Sequence, residues 1–222
     1  WKCEVKHIYQ PNKPGCGEKG PIKIRFLIDN KIVNRWDNDE VKYDLDLMRR
    51  EALTIFSDWK PDAVLLSDYD KGLLTPEFIQ RVISTCKIFD VPCVADAKRE
   101  PKIYLGAIIK GNADYFIKLD YPEKSRRSDS KAVTTYGESP PLVWDFGNVC
   151  SFPSLPKVKA INHVGAGDCF AAHLTLAYGF SLKESAEVAH SAGRVYVQHL
   201  HNRPPHLEEI ELDMIGECHK SW

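Results

Sequence analysis

Long hydrophobic runs, paired cysteines and an excess of charge of either sign are all missing from this sequence. No apolar run approaches the ~20 residues that a membrane-crossing helix needs, so no membrane partner is expected. The seven cysteines are scattered and odd in number, and none stands in a Cys-x-x-Cys pair. That argues against a zinc ribbon or a disulfide framework and favours reduced thiols in a cytoplasmic protein. A formal net charge of −1 gives no global attraction to nucleic acid or to an anionic surface. No internal repeat is present, and residues 1–20, rich in Pro, Gly and Lys, read as an irregular arm with no secretory leader.

What remains is ordinary for a globular chain: 43% hydrophobic and 27% charged residues over 222 positions, enough for one domain with a sizeable core. The expected domain is the whole chain, 1–222, with a hairpin at 22–36 and an α/β core over 41–215. Ile22–Ile28 alternates apolar with basic residues, turns at Asp29-Asn30-Lys31 and returns to Trp36. Alternation implies one wet face, so this hairpin reads as a lid or a subunit-pairing sheet rather than part of a buried sheet.

From Val41 to Trp59 the apolar positions follow helical spacing. Ala63–Leu66 is a short, wholly apolar run suited to a strand covered on both faces. The polar loop Ser67–Gly72 follows, and Thr75-Pro76 opens a helix to about Phe89. Val91–Ala95 and Ala107–Lys110 are further strands, with Asp96-Ala97-Lys98 and Gly111-Asn112 at their carboxyl ends. This strand–helix–strand alternation predicts a doubly wound parallel sheet with ligands at that edge. The charged run Lys118–Ser130 reads as a solvated loop. Lys131–Thr135 reads as a strand, Tyr136–Pro141 as a turn, and Leu142–Phe146 with Val149–Phe152 as a hairpin. Ser181 with Glu184 forms a capping box for a helix to about His199, and Leu207–Ile215 is a terminal helix.

The most informative stretch is Val164-Gly165-Ala166-Gly167-Asp168, which opens an apolar helix through Tyr178. Small residues let the backbone come close to a ligand, and a helix N-terminus favours an anion. A carboxylate beside an anion site has a use if it takes a proton from an attacking hydroxyl. That is the pattern of phosphoryl transfer to an alcohol, with Asp168 as base and the backbone of Gly165, Ala166 and Gly167 as the anion hole. The plain alternative for the four residues alone is a helix start with Asp168 as a cap.

Taken in order, the stretches IKIRFLIDNKIVNRWD, AVLLSDYDKGLLTPEFI, VPCVADAKRE, AIIKGNADYF, KAVTTYGES and NHVGAGDCFAAHLTLAYGFSLKESAEVAHSAG resemble the ribokinase-like carbohydrate kinases. Within them the similarity is to the domain that phosphorylates heptose 7-phosphate in ADP-heptose synthesis, and Ser-Asp-Tyr-x-Lys-Gly points to that branch. The resemblance implies a three-layer α/β/α sandwich with a mainly parallel sheet and a projecting hairpin lid. It implies ATP and Mg²⁺ as cofactors, with no metal ligand assigned to the protein itself. The activity it implies is transfer of the γ-phosphoryl group to a sugar hydroxyl, with D-glycero-D-manno-heptose 7-phosphate as the acceptor (a 1-kinase). By the same resemblance, Asn112 orders phosphate and Mg²⁺-bound water, Thr135 and Gly137 flank the nucleotide, and His190 stands where an asparagine approaches the adenine. Asp96 and Lys98 lie near the phosphates, and Asp68 and Lys71 belong to the heptose-branch loop. For Asp68 a loop-capping role is an equal reading; for Lys71 and Lys98 the equal reading is a surface lysine. Small sheets like the hairpin pair between subunits in this family, so a homodimer through 22–36 is implied.

The sequence also departs from the pattern. The family carries more chain ahead of the hairpin than residues 1–21 here, including Gly-Gly and Asn groups that grip the sugar. Its Asn-x-x-Glu becomes Asn112-Ala113-Asp114-Tyr115, its Asp-x-Thr becomes Asn162-His163-Val164, and Ala97 and Arg99 replace a proline and a glycine. No His-x-Gly-His stretch exists, so the nucleotidyl-transfer step that accompanies some heptose kinases is not expected. Two readings follow: a compact, divergent sugar kinase, or a catalytically impaired kinase fold that binds nucleotide, sugar or protein partners.

Overall fold

The computed structural model describes residues 22–28, 31–38, 45–119, 131–201 and 203–216. These fall in two compact units that divide between Trp59 and Lys60.

The first unit holds strands β1 (Ile22–Ile28) and β2 (Lys31–Asn38) and helix α1 (Leu45–Asp58). The two strands pair antiparallel, Ile22 opposite Asn38, with a register shift between Phe26 and Leu27. The hairpin read from the alternation is therefore present; its turn, 29–30, lies outside the described residues, as do the start of the helical pattern at 41–44 and the arm at 1–20.

The second unit is built on one six-stranded sheet in the order β3 (Val64–Ser67), β4 (Cys93–Asp96), β5 (Ile108–Asn112), β6 (Lys131–Tyr136), β7 (Ser139–Asp145), β8 (Asn148–Cys150). The first four strands run parallel and the last two antiparallel. Strand β7 begins at Ser139, inside the stretch whose sequence reads as a turn up to Pro141. The two prolines are accommodated because only Gly137 and Glu138 are needed to reverse the chain, Gly137 with φ +62°.

Helix α2 (Pro76–Ile88) starts as its sequence dictates: the Thr75 side chain accepts from Phe78 N and Pro76 fills the first turn. Two helices were not legible: a 3₁₀ turn at Pro101–Tyr104, and α3 (Ala113–Leu119), too short to show a period. Helices α4 (Ala166–Leu176), α5 (Leu182–Tyr196) and α6 (Leu207–Met214) complete the unit. The Ser181–Glu184 capping box is formed.

The pleat separates the layers, because successive strand residues point to opposite faces. Val94, Val133 and Val143 pack with Phe170 and Leu174 of α4 and with Leu182, Ala186 and Ala189 of α5. Cys93, one residue from Val94, instead meets Cys86 of α2. Helices therefore cover both faces of the sheet, giving three layers. Among the described residues no helix is long and apolar enough to cross a membrane.

Candidate active site

Four parallel strands deliver polar groups to one edge of the sheet: Asp68 follows β3, Asp96 ends β4, Asn112 ends β5, and Thr135 and Gly137 lie at the end of β6. This is where a doubly wound sheet places its ligands.

Helix α4 begins next to that edge. Gly165 caps it in the left-handed region, φ +87°, a conformation that costs any residue with a Cβ. Its carbonyl accepts the first helical bond, from Cys169 N at 2.8 Å, and Ala166 N donates to His163 O at 3.3 Å. Asn162 steadies the approach, its Oδ1 accepting from Val164 N at 3.0 Å. The amides of Gly167 and Asp168 belong to the first turn, where N–H groups have no partner inside the helix. Tyr196 of α5 braces the turn from behind by donating its hydroxyl to Val164 O at 2.9 Å. Gly167 and Asp168 are exposed at the mouth, while Cys169 and Phe170 turn into the core. Burial, and then the charge of Asp168, push the Cys169 thiol up to about 12, so it is no nucleophile at neutral pH.

A charged group that the sequence reading missed completes this corner. Lys110 is 4% exposed, and its ammonium donates to Asp96 Oδ1 at 3.0 Å and to Gly167 O at 3.1 Å. Asp96 and Lys110 are register partners across β4 and β5, both on the face that carries Val94. The strands thus place a buried ion pair directly beneath the first turn of α4. Asp96 also accepts from Lys98 Nζ at 3.3 Å, and the same Nζ lies 5.9 Å from the centre of the Tyr69 ring. The available signal was a lysine at the carboxyl end of an apolar strand whose predicted neighbour ends in aspartate.

The loop after β3 splits its side chains between two faces. Asp68, 1% exposed, accepts from Arg99 Nη2 at 2.6 Å, Arg99 Nε at 3.0 Å, Tyr104 Oη at 2.6 Å and Asp70 N at 2.8 Å. This is the geometry of a loop anchor, and Arg99 extends it by donating to Leu74 O. Tyr69, the next residue, points the other way and donates its hydroxyl to Asp168 Oδ1 at 2.5 Å. Partial burial, followed by the hydrogen bond and charge of Asp168, pushes the Tyr69 phenol up to about 12. Lys71 is exposed further along the loop.

The remaining sequence-marked residues lie apart from this corner. Asn112 is exposed, and its Oδ1 accepts from Tyr115 N at 2.8 Å, capping α3. Thr135 is its register partner and donates to Gly111 O at 3.3 Å. Among the described residues, nothing other than its chain neighbours lies within 4 Å of where a Cβ on Gly137 would be. His190 is buried on α5, and among the described residues its Nε2 has no hydrogen-bond partner. Burial and the nearby charge of Arg194 lower its pKa to about 4, against the opposing pull of Asp213. The structure thus gathers Asp96, Lys98, Gly167 and Asp168 around Lys110 and Tyr69. Asn112, Thr135 and Gly137 lie along the neighbouring strand ends.

Comparison with known proteins bears on the family and the fold. Residues 119–209 match the pfkB family carbohydrate kinase model. The bifunctional protein HldE of Sulfurimonas denitrificans is 31% identical over 227 residues, 92% of this chain and 46% of that relative. HldE of Nitratiruptor is also 31% identical, over 85% of this chain and 44% of its own length. The chain therefore spans somewhat less than half the length of the curated relatives it matches. Among solved structures, a possible 1-phosphofructokinase from Thermotoga maritima superposes with a TM-score of 0.67 at 16% identity, over 88% of this chain and 68% of that one. Arabidopsis thaliana ribokinase, complexed with ribose and ATP, superposes with a TM-score of 0.60 at 18% identity, over 82% and 65%. Identities this low speak for the fold alone. Together, the pfkB match, the HldE relatives and the shared fold bear out the resemblance that the ordered motifs carry, to the ribokinase-like carbohydrate kinases and to their heptose-kinase branch.

Proposed function

We propose that this chain is an ATP-dependent sugar kinase whose acceptor is D-glycero-D-manno-heptose 7-phosphate, phosphorylated at its anomeric hydroxyl. The observation that carries this reading is the corner where Asp168 stands in the first turn of α4, behind a left-handed Gly165 and above the Lys110 ammonium. First-turn amides and a buried cation favour an anion at the place where one carboxylate can take a proton. In the proposed step the acceptor oxygen attacks the γ-phosphorus and the bond to the β–γ bridging oxygen breaks. The hydroxyl proton passes to Asp168, and the nucleoside diphosphate leaves with the bridging oxygen. Lys110, fixed by Asp96, steadies the turn and adds positive potential beneath it.

The donor set is compatible with a Mg²⁺ ion that arrives on the nucleotide. Among the described residues no group of three or more His, Cys, Asp or Glu could hold a metal, and Mg²⁺ in such sites rests largely on phosphate oxygens and water. When bound, the ion neutralises charge on the transferring group. Asn112, with Asp114 beside it, is the side chain proposed to face it. His190 is proposed to lie on the nucleotide side. Homodimerisation through the 22–36 hairpin belongs to the same proposal.

The test is consumption of Mg-ATP with heptose 7-phosphate by the native chain and by Asp168→Asn. Loss of a general base is expected to slow transfer by about 10²–10⁴-fold. Turnover that survives in Asp168→Asn would refute this role. No turnover in either protein, with ATP still bound, would favour the impaired binding module instead.

A further inference from the structure

We infer that Tyr69 guards the base: its phenol occupies Asp168 until an acceptor hydroxyl displaces it, and so keeps water from being activated in the acceptor's absence. The inference rests on the kinase reading above. A site with a positioned base and a bound nucleoside triphosphate faces a side reaction. Water can attack the γ-phosphorus, give its proton to the same carboxylate and release inorganic phosphate and nucleoside diphosphate. Exclusion of water is a recognised requirement of such sites.

The geometry supplies an occupant. Tyr69 Oη donates to Asp168 Oδ1 at 2.5 Å, in the range of strong hydrogen bonds to carboxylates. An oxygen holding that bond has less capacity left to accept a proton from water. A phenol whose pKa is pushed up to about 12 stays a donor across the neutral range.

The guard is also built to move. Tyr69 is 48% exposed as a residue, so its side chain can swing away without opening the core. The backbone beneath it is fixed, because the preceding Asp68 is locked by Arg99 and Tyr104. A sugar phosphate held by several contacts can displace the phenol from Asp168. A lone water has only its own to offer.

Tyr69→Phe keeps the ring and removes the hydroxyl. The expected result is acceptor-free release of ADP from Mg-ATP that rises by about tenfold or more. The double variant Tyr69→Phe/Asp168→Asn should lose the rise, its hydrolysis falling to the native rate or below, which ties the leak to the base. Structural damage alone would lower hydrolysis and transfer together. A second readout needs no turnover. Ultraviolet titration of tyrosinate, native minus Tyr69→Phe, should show one phenol titrating near 12, and Asp168→Asn should lower it.

A leak that needs Asp168 supports the guard whichever sugar is the true acceptor. Native-level hydrolysis in Tyr69→Phe, with transfer to heptose 7-phosphate intact in the native chain, overturns the guard alone. A Tyr69 phenol indifferent to Asp168 does the same. Neither transfer nor a leak overturns the kinase reading and the guard together.

Discussion

Gly165 meets two separate constraints, and they can be measured apart. Its φ of +87° disfavours any side chain, and a Cβ built there would lie 2.5 Å from Tyr196 Oη. That hydroxyl is the one that braces the turn through Val164 O. Gly165→Ala is therefore expected to lose ~1–2 kcal/mol to left-handed backbone and a further ~1 kcal/mol as the hydroxyl is pushed off its acceptor. Tyr196→Phe alone should lose the hydrogen bond, ~1 kcal/mol. In the double variant the second loss is shared, so chemical denaturation should show a combined effect smaller than the sum. Strict additivity would mean that Tyr196 does not brace the turn. At this scale the sequence was readable where one residue type forces one geometry, as at Gly165 and Asp168. It was not readable at Lys110 or Tyr69, whose partners lie on neighbouring strands or 99 residues away and are found only once the sheet is assembled.

Among the elements, the long helices and buried strands were legible because their signals are local: the Thr75-Pro76 start, the Ser181–Glu184 box, and the apolar runs of β3 and β4. Helix α3 was not, because seven residues give too few turns for a period and its cap, Asn112, is equally at home in a loop. Helix α5 carries a titration that can be checked. His190 is buried neutral and its folded pKa, about 4, lies below the ordinary 6.5. Between those two values the unfolded chain binds more protons, so stability falls as pH falls through this window and is fully present above it. Urea unfolding at pH 7 and pH 5 is expected to show a loss on the order of 1 kcal/mol from this group. His173 shifts in the same direction, so the relevant quantity is the difference between the native chain and His190→Gln, whose slope should be shallower. Equal slopes would mean that His190 is solvated in the native state. The same helix holds α6 through the buried Arg194–Asp213 pair at 2.9 Å, with Arg194 Nη2 also donating to Pro156 O at 2.7 Å. Protonation of His190 would thus place a second positive charge beside Arg194.

At the scale of the whole molecule, every residue of the proposed site, from Tyr69 to His190, lies in the unit that runs from Lys60 onward. That makes ligand binding a probe of how the chain is divided. A ligand stabilises only the cooperative unit that binds it, by about 2.7 kcal/mol at a hundred times its Kd. For a unit of this size such a gain raises Tm by roughly 5–10 °C. Calorimetry with Mg-ATP is therefore expected to move the transition of the larger unit. A transition belonging to residues 1–59, if the two melt separately, should stay where it is. Asp168→Asn should retain the shift, because in the proposed mechanism Asp168 acts on the acceptor and not on the nucleotide. Removal of a carboxylate next to the anion turn could even enlarge it. Abolition of the shift in Asp168→Asn would move that residue from the acceptor to the nucleotide side of the mechanism. A shift confined to the smaller unit would mean that the nucleotide does not bind at the strand ends where the fold gathers its charged groups.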